Sequence, residues 1–203
     1  MIRSLAMLVV AGMLAACTGA GDLTAPKVPL GDFSLGHNIV VAPKAQTVAA
    51  GREVPKEQLT QALQDAIAER FDRYDGEKDY HFGVSIEGYL LAKRGIPILF
   101  SPKSALIIRL TVWDDAQGKK LNEPPEQFTV LEALDGESIV GTGWSQSPET
   151  QLQNLSRNAA QVIENYLVKK NAEEGWFGNT PAVLPEVAGT APEAIAEAAE
   201  AAD

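Results

Sequence analysis

The chain reads as a single α+β domain, an antiparallel sheet of about five strands with two helices on one face, in the order β-α-β-β-β-β-α and flanked by flexible tails. Three observations predict this. Residues 80–91 and 105–113 alternate apolar and polar side chains, as half-buried strands do. Residues 55–74 and 148–170 carry apolar stripes at helical spacing. Asp135-Gly136 stands between two β-prone runs, 127–134 and 138–144, where a tight hairpin turn belongs.

Each element has its own signal. The β-branched run 38–41 ends at Ala42-Pro43 and predicts a short strand. Pro55 suits the first position of a helix whose buried face carries Leu59, Leu63, Ala66, Ile67, Arg70-Phe71 and Tyr74, with Asp75-Gly76 as its stop. In the next strand Tyr80, Phe82, Val84 and Ile86 face one way and His81, Ser85 and Glu87 the other. The pattern blurs after Gly88, as a β-bulge would cause. Leu106, Ile108, Leu110 and Val112 form the inward face of the clearest strand. Asp114-Asp115 and Gly118 turn the chain, and Pro124-Pro125 makes a loop before the hairpin. In the last helix Ser147 is the cap, Pro148 the first position and Glu149 a favourable charge at the positive end. Leu152, Leu155, Ala159, Val162-Ile163 and Tyr166 form its stripe, Lys169 and Lys170 suit its far end, and Gly175 lies just beyond. Trp176-Phe177 is expected to cap the end of the core. No internal repeat is found.

Around this core, residues 37–177, lie two segments without apolar periodicity. Residues 17–36 are expected to be a flexible tether, with a root-mean-square reach of about 25 Å and about 65 Å at full stretch. Residues 178–203 are rich in Ala, Pro and Glu, hold five acids and no Lys or Arg, and are expected to form a disordered acidic tail. Residues 1–16 read as a processing signal, with Arg3 near the start and an uncharged run over 5–14 too short to span a bilayer. The signal ends at Leu14-Ala15-Ala16-Cys17, and Cys17 is the chain's one cysteine.

That motif resembles the lipobox of bacterial lipoproteins. The resemblance implies diacylglycerol transfer to the Cys17 thiol, cleavage before Cys17, usually acylation of the new amine, and durable anchoring by several acyl chains. It further implies a periplasm-facing protein of the cell envelope, and Thr18 after the cysteine points to the outer rather than the inner membrane. The order of core elements loosely resembles the small α/β domains of the curli-secretion lipoprotein, of outer-membrane activators of peptidoglycan synthases and of the N-terminal domain of the Tol-system propeller protein. The chain also looks like small uncharacterised envelope lipoproteins of similar length. These likenesses bring no binding residues with them.

Composition narrows the chemistry. The chain has 203 residues, is 45% hydrophobic and 22% charged, and carries a net charge of −10, which loss of residues 1–16 makes one unit more negative. Such a polyanion is repelled by phosphate backbones, so nucleic acid is not an expected partner. A single cysteine excludes a disulfide framework and a multi-cysteine metal site. No Gly-x-Ser-x-Gly elbow is present. His37 and His81 lie near the starts of two strands that could be neighbours, and with Glu87 or Asp79 would be the residues of any metal or acid–base site. No ligand spacing such as His-x-x-x-His supports one, so ordinary hydrogen bonds are expected there. The acids Asp72, Asp75, Glu77 and Asp79 lack the spacing and closing glutamate of a calcium loop. No catalytic residue, metal or cofactor is therefore assigned.

The segment with the best claim to interaction is apolar and proline-stiffened. Ile96, Ile98, Leu99 and Phe100, with Lys103, either fold back over the core or present a surface to a partner, or to headgroups with Lys93 and Arg94 beside lipid phosphates. The function expected is that of a non-enzymatic, lipid-anchored domain that binds or positions another envelope component. The alternatives are a small-ligand or lipid-binding accessory lipoprotein of a transport system, which an apolar cavity of about 300 Å³ or more would favour, and an enzyme with an unrecognised site.

Overall fold

The computed structural model describes residues 23, 26–47, 51–92, 104–131 and 147–178. Their elements are β1 (Ser34–Val41), β2 (Gln46–Thr47), α1 (Lys56–Phe71), β3 (Asp79–Leu90), β4 (Ala105–Asp114), β5 (Lys119–Lys120), β6 (Glu126–Leu131) and α2 (Pro148–Glu174). The expected α+β class holds, with two helices against one face of a six-stranded sheet. The hairpin expected at Asp135-Gly136 and the strand at 138–144 lie outside the described residues.

The sheet is mixed, where an antiparallel one was expected. β3 and β4 pair antiparallel from Tyr80↔Asp114 to Leu90↔Ala105, and β6 joins β4 antiparallel. β1 and β2, however, run parallel to β3 on its other side. The cause is α1, which lies between β1 and β3 in the chain and carries it back to the end where β1 began. A strand–helix–strand unit delivers its second strand parallel to the first. The bulge read near Gly88 is present, the β3–β4 register slipping between Ile86 and Gly88. The slip moves the inward positions from Ile86 to Tyr89, so both stay buried.

Helix ends follow local chemistry. Ser147 Oγ accepts the Thr150 N–H at 3.2 Å, Pro148 opens α2, and Gly175 closes it in the left-handed region at φ 68°. Pro55 stands one residue outside α1 and contributes its carbonyl, which accepts from Gln58 and Leu59. Between sheet and helices lies one apolar core. On α1 the buried residues are Leu59, Leu63, Ala66, Ile67, Arg70 and Phe71, those of the stripe read from sequence.

The core also recruits residues expected to belong to the tether. Leu30 and Phe33 are fully buried. The Phe33 ring is stacked 5.5 Å from Tyr80 and touches Phe71, Tyr74, Phe82 and Phe177. The packed domain thus begins near Lys27 and not at His37. In sequence, the Pro and Gly of this segment read as linker, whereas in space they turn two apolar residues into the core, with Gly31 at φ 94°. At the other end Phe177 is fully buried, as its capping role required.

Candidate functional site

The topology gives the domain two unlike poles. The N-terminal segment, the end of α1, the start of β3 and Phe177 meet at one pole. There the Asp32 N–H donates to the Phe177 carbonyl at 2.9 Å and Gly76 N–H to the Phe33 carbonyl at 2.9 Å. The Asp32 carboxylate accepts the Glu77 N–H, and that bond, with Lys78 3.4 Å away, holds its pKa below the usual carboxylate range. Lys27 likewise bonds Asp75 and lowers its pKa. At the opposite pole β4 and α2 begin and β6 ends, with Ala105 paired to Leu131. Ten residues of β4 place the poles about 33 Å apart.

Residues 93–103, which hold Ile96, Ile98, Leu99, Phe100 and Lys103, lie outside the described residues, as does Cys17. The chain leaves for this segment at Ala92 and returns at Ser104. The two are joined by a 3.3 Å bond from the Ala92 N–H to Ser104 Oγ, at the pole away from the N-terminal segment.

The structure does bring His37 and His81 together, with ring centroids 4.7 Å apart. His81 Nδ1 accepts the backbone N–H of His37 at 2.9 Å, and its Nε2 lies 3.1 Å from Asp115 Oδ1. This fixes the neutral Nε2–H tautomer and engages both ring nitrogens. Neither Asp79 nor Glu87 completes a site, and among the described residues no group of three metal-ligating side chains forms. Asp114 proves to be a turn residue whose side chain accepts the Gln117 N–H.

Deeper in the molecule, α1 and α2 share a buried polar knot. Arg70 Nη1 pairs with Glu164 Oε2 at 2.8 Å, and Tyr74 Oη donates to Glu164 Oε1 at 2.7 Å. Burial, and then the neighbouring Glu164 carboxylate, push the Tyr74 pKa far up. Arg70 and Tyr74 are legible in the sequence but Glu164 is not, its only signal being its place beside Ile163 on the apolar side of α2.

Among the described residues the surface also has two depressions and one open face. A crevice of about 210 Å³ lies at the N-terminal pole among Lys27, Leu30, Phe33, Tyr74 and Asp75. A groove of about 320 Å³ between the helices is lined by Ala62, Asp65, Glu69, Glu149, Gln153 and Arg157, the last paired to Glu69. Neither is a pocket between sheet and helices. The face of the sheet turned away from the helices carries the exposed apolar side chains Ile39, Val41, Trp113 and Leu131. Alternation in β4 was a signal for Trp113, whereas the unbroken apolar run Ile39-Val40-Val41 hides which face of β1 is exposed.

No family model matches the chain, and no curated protein matches it. Among solved structures it is similar to protein XCC0632 of Xanthomonas campestris, of family DUF330, at 13% identity over 74% of this chain and 93% of that one, with a TM-score of 0.43. A hypothetical protein of Chlamydia trachomatis, CT253, gives 10% identity over 66% and 97% of the two chains and a TM-score of 0.36. PelC of Paraburkholderia phytofirmans, solved as a dodecamer, gives 9% identity over 66% and 91% and a TM-score of 0.33.

Proposed function

We propose that the chain is a lipid-anchored, periplasm-facing protein of the bacterial outer membrane whose domain binds or positions another envelope component and performs no reaction of its own. The observation that carries the reading is Leu14-Ala15-Ala16-Cys17, a lipobox ending at the chain's one cysteine. Acyl chains on Cys17 supply the membrane contact, and an envelope protein is the second partner.

The length of the connection sharpens the proposal. Packing begins near Lys27, so only nine residues, 18–26, separate the anchor from the domain. They reach about 30 Å at full stretch and about 16 Å on average. Such a link keeps the N-terminal pole near the bilayer, with the opposite pole about 33 Å further out. Ile96, Ile98, Leu99, Phe100 and Lys103 fall in the sequence between Ala92 and Ser104, two residues of that outer pole, and this supports reading them as the partner-binding residues.

The rival readings draw less support. Among the described residues the crevice at about 210 Å³ is smaller than the roughly 300 Å³ a small-ligand site needs, and the larger groove is polar, with Asp65, Glu69 and Glu149 in its lining. A general acid or base at His81 would have to give up the two bonds that hold its ring.

The test is fractionation and in-cell cross-linking. Cys17→Ser is expected to move the protein from the membrane fraction to the soluble periplasmic one. Photo-cross-linkers at Ile98 and Phe100 are expected to capture one abundant envelope protein, and to lose it in Cys17→Ser. Unchanged membrane retention overturns the anchor. Capture of phospholipid by both probes, with no protein, overturns the outward-facing partner surface.

A further inference from the structure

We propose that His81 is a proton-operated latch on the base of β1. The latch joins three elements. His81 stands in β3, the amide it holds belongs to His37 in β1, and Asp115 grips it from the turn after β4. It sits at the irregularity of the parallel pairing, where the β1–β3 register shifts between Leu35 and Asn38. The ring packs directly on backbone at Gly36, since a Cβ there would lie 2.5 Å from Nδ1 and Cε1. No side chain fills that space, so the His37 N–H reaches Nδ1.

The bond requires a lone pair on Nδ1. Adding a proton to the neutral Nε2–H ring puts an N–H at Nδ1, facing the N–H of His37, and a donor cannot accept from a donor. The groups facing the ring determine how it responds to that proton. From β1 comes the His37 imidazole, a second titratable ring 4.7 Å away. From β3 comes Asp79, whose Cβ lies beside Gly36, and from the turn after β4 comes Asp115. Trp113 is the cross-strand neighbour on β4. The Asp115 carboxylate accommodates the imidazolium, so the cation keeps its grip on Asp115 and releases the His37 amide. The loss falls on the His37 amide, and acid loosens β1 at the register shift between Leu35 and Asn38, beside the stretch that displays the exposed Ile39 and Val41.

The test is by nuclear magnetic resonance on the full chain from residue 17, carrying Cys17→Ser. At pH 8 the His81 ring nitrogens are expected to report the Nε2–H tautomer. Between pH 8 and pH 5, after correction for intrinsic exchange, protection of the His37 amide is expected to fall at least about fivefold, with core amides such as Leu110 unaffected. His81→Asn keeps an acceptor oxygen near the Nδ1 position but does not titrate, and is expected to hold His37 protection level. An Nδ1–H tautomer at pH 8 overturns the proposal and needs no variant. So does equal His37 protection at both pH values, or the same loss in His81→Asn, which would place the titration elsewhere.

Discussion

At the scale of single residues, stability rests on a few side chains that the helices hold away from water. Glu164 is 4% exposed and accepts from both Arg70 and Tyr74, so its removal takes the paired carboxylate from a buried guanidinium and the acceptor from a buried phenol. Breaking such a pair from one side costs about 3–5 kcal/mol, and Glu164→Ala is expected to lower the unfolding free energy by that amount in a urea titration. The tyrosines give a pH signature. Burial raises the Tyr80 pKa to about 12 and pushes Tyr74 further still. A group whose folded pKa exceeds its unfolded value of about 10 contributes stability in full below pH 10 and loses it as pH rises. The domain is therefore expected to melt at falling temperature above about pH 10, and phenolate absorbance to show Tyr74 and Tyr80 ionising at higher pH than in the unfolded chain. Tyr74 and Arg70 were legible because they continue an apolar stripe. Glu164 was not, because one acid in an amphipathic helix looks the same whether it meets solvent or an arginine 94 residues away.

At the scale of elements, period carried most of the reading. β3, β4, α1 and α2 were all found within a few residues of their observed ends, because each holds enough turns or alternations for the pattern to repeat. β2 and β5, with two residues each, have no period to detect. The direction of β1 escaped for a different reason, since alternation shows which face a strand buries and not which way its neighbour runs. Capping and burial are separable here. Ser147→Ala removes the bond to the Thr150 N–H and is expected to cost about 1 kcal/mol, read as a small drop in melting temperature. Leu110 is fully buried on β4 between Val84 and Glu126, and Leu110→Asp puts an unpaired charge there. That variant is expected to lose its near-ultraviolet circular dichroism altogether.

At the scale of the whole molecule, the domain boundary is the largest departure from the sequence reading. Composition cannot tell a Pro- and Gly-containing linker from the same residues steering Leu30 and Phe33 inward, because the difference lies in contacts with Phe71 and Phe177. Two forms starting at Lys27 and at Ser34 are expected to separate the cases. The first keeps the melting temperature of the chain from residue 17. The second loses two fully buried side chains and several kcal/mol, visible as a large shift in the urea midpoint. The pairing of Phe33 with Phe177 also sets an order of events in biogenesis. Synthesis runs from the amino end, so the first aromatic of the core emerges long before the last. The core cannot close until residue 177 has emerged too. Closure then comes last, when the ring made first meets the ring made at the end.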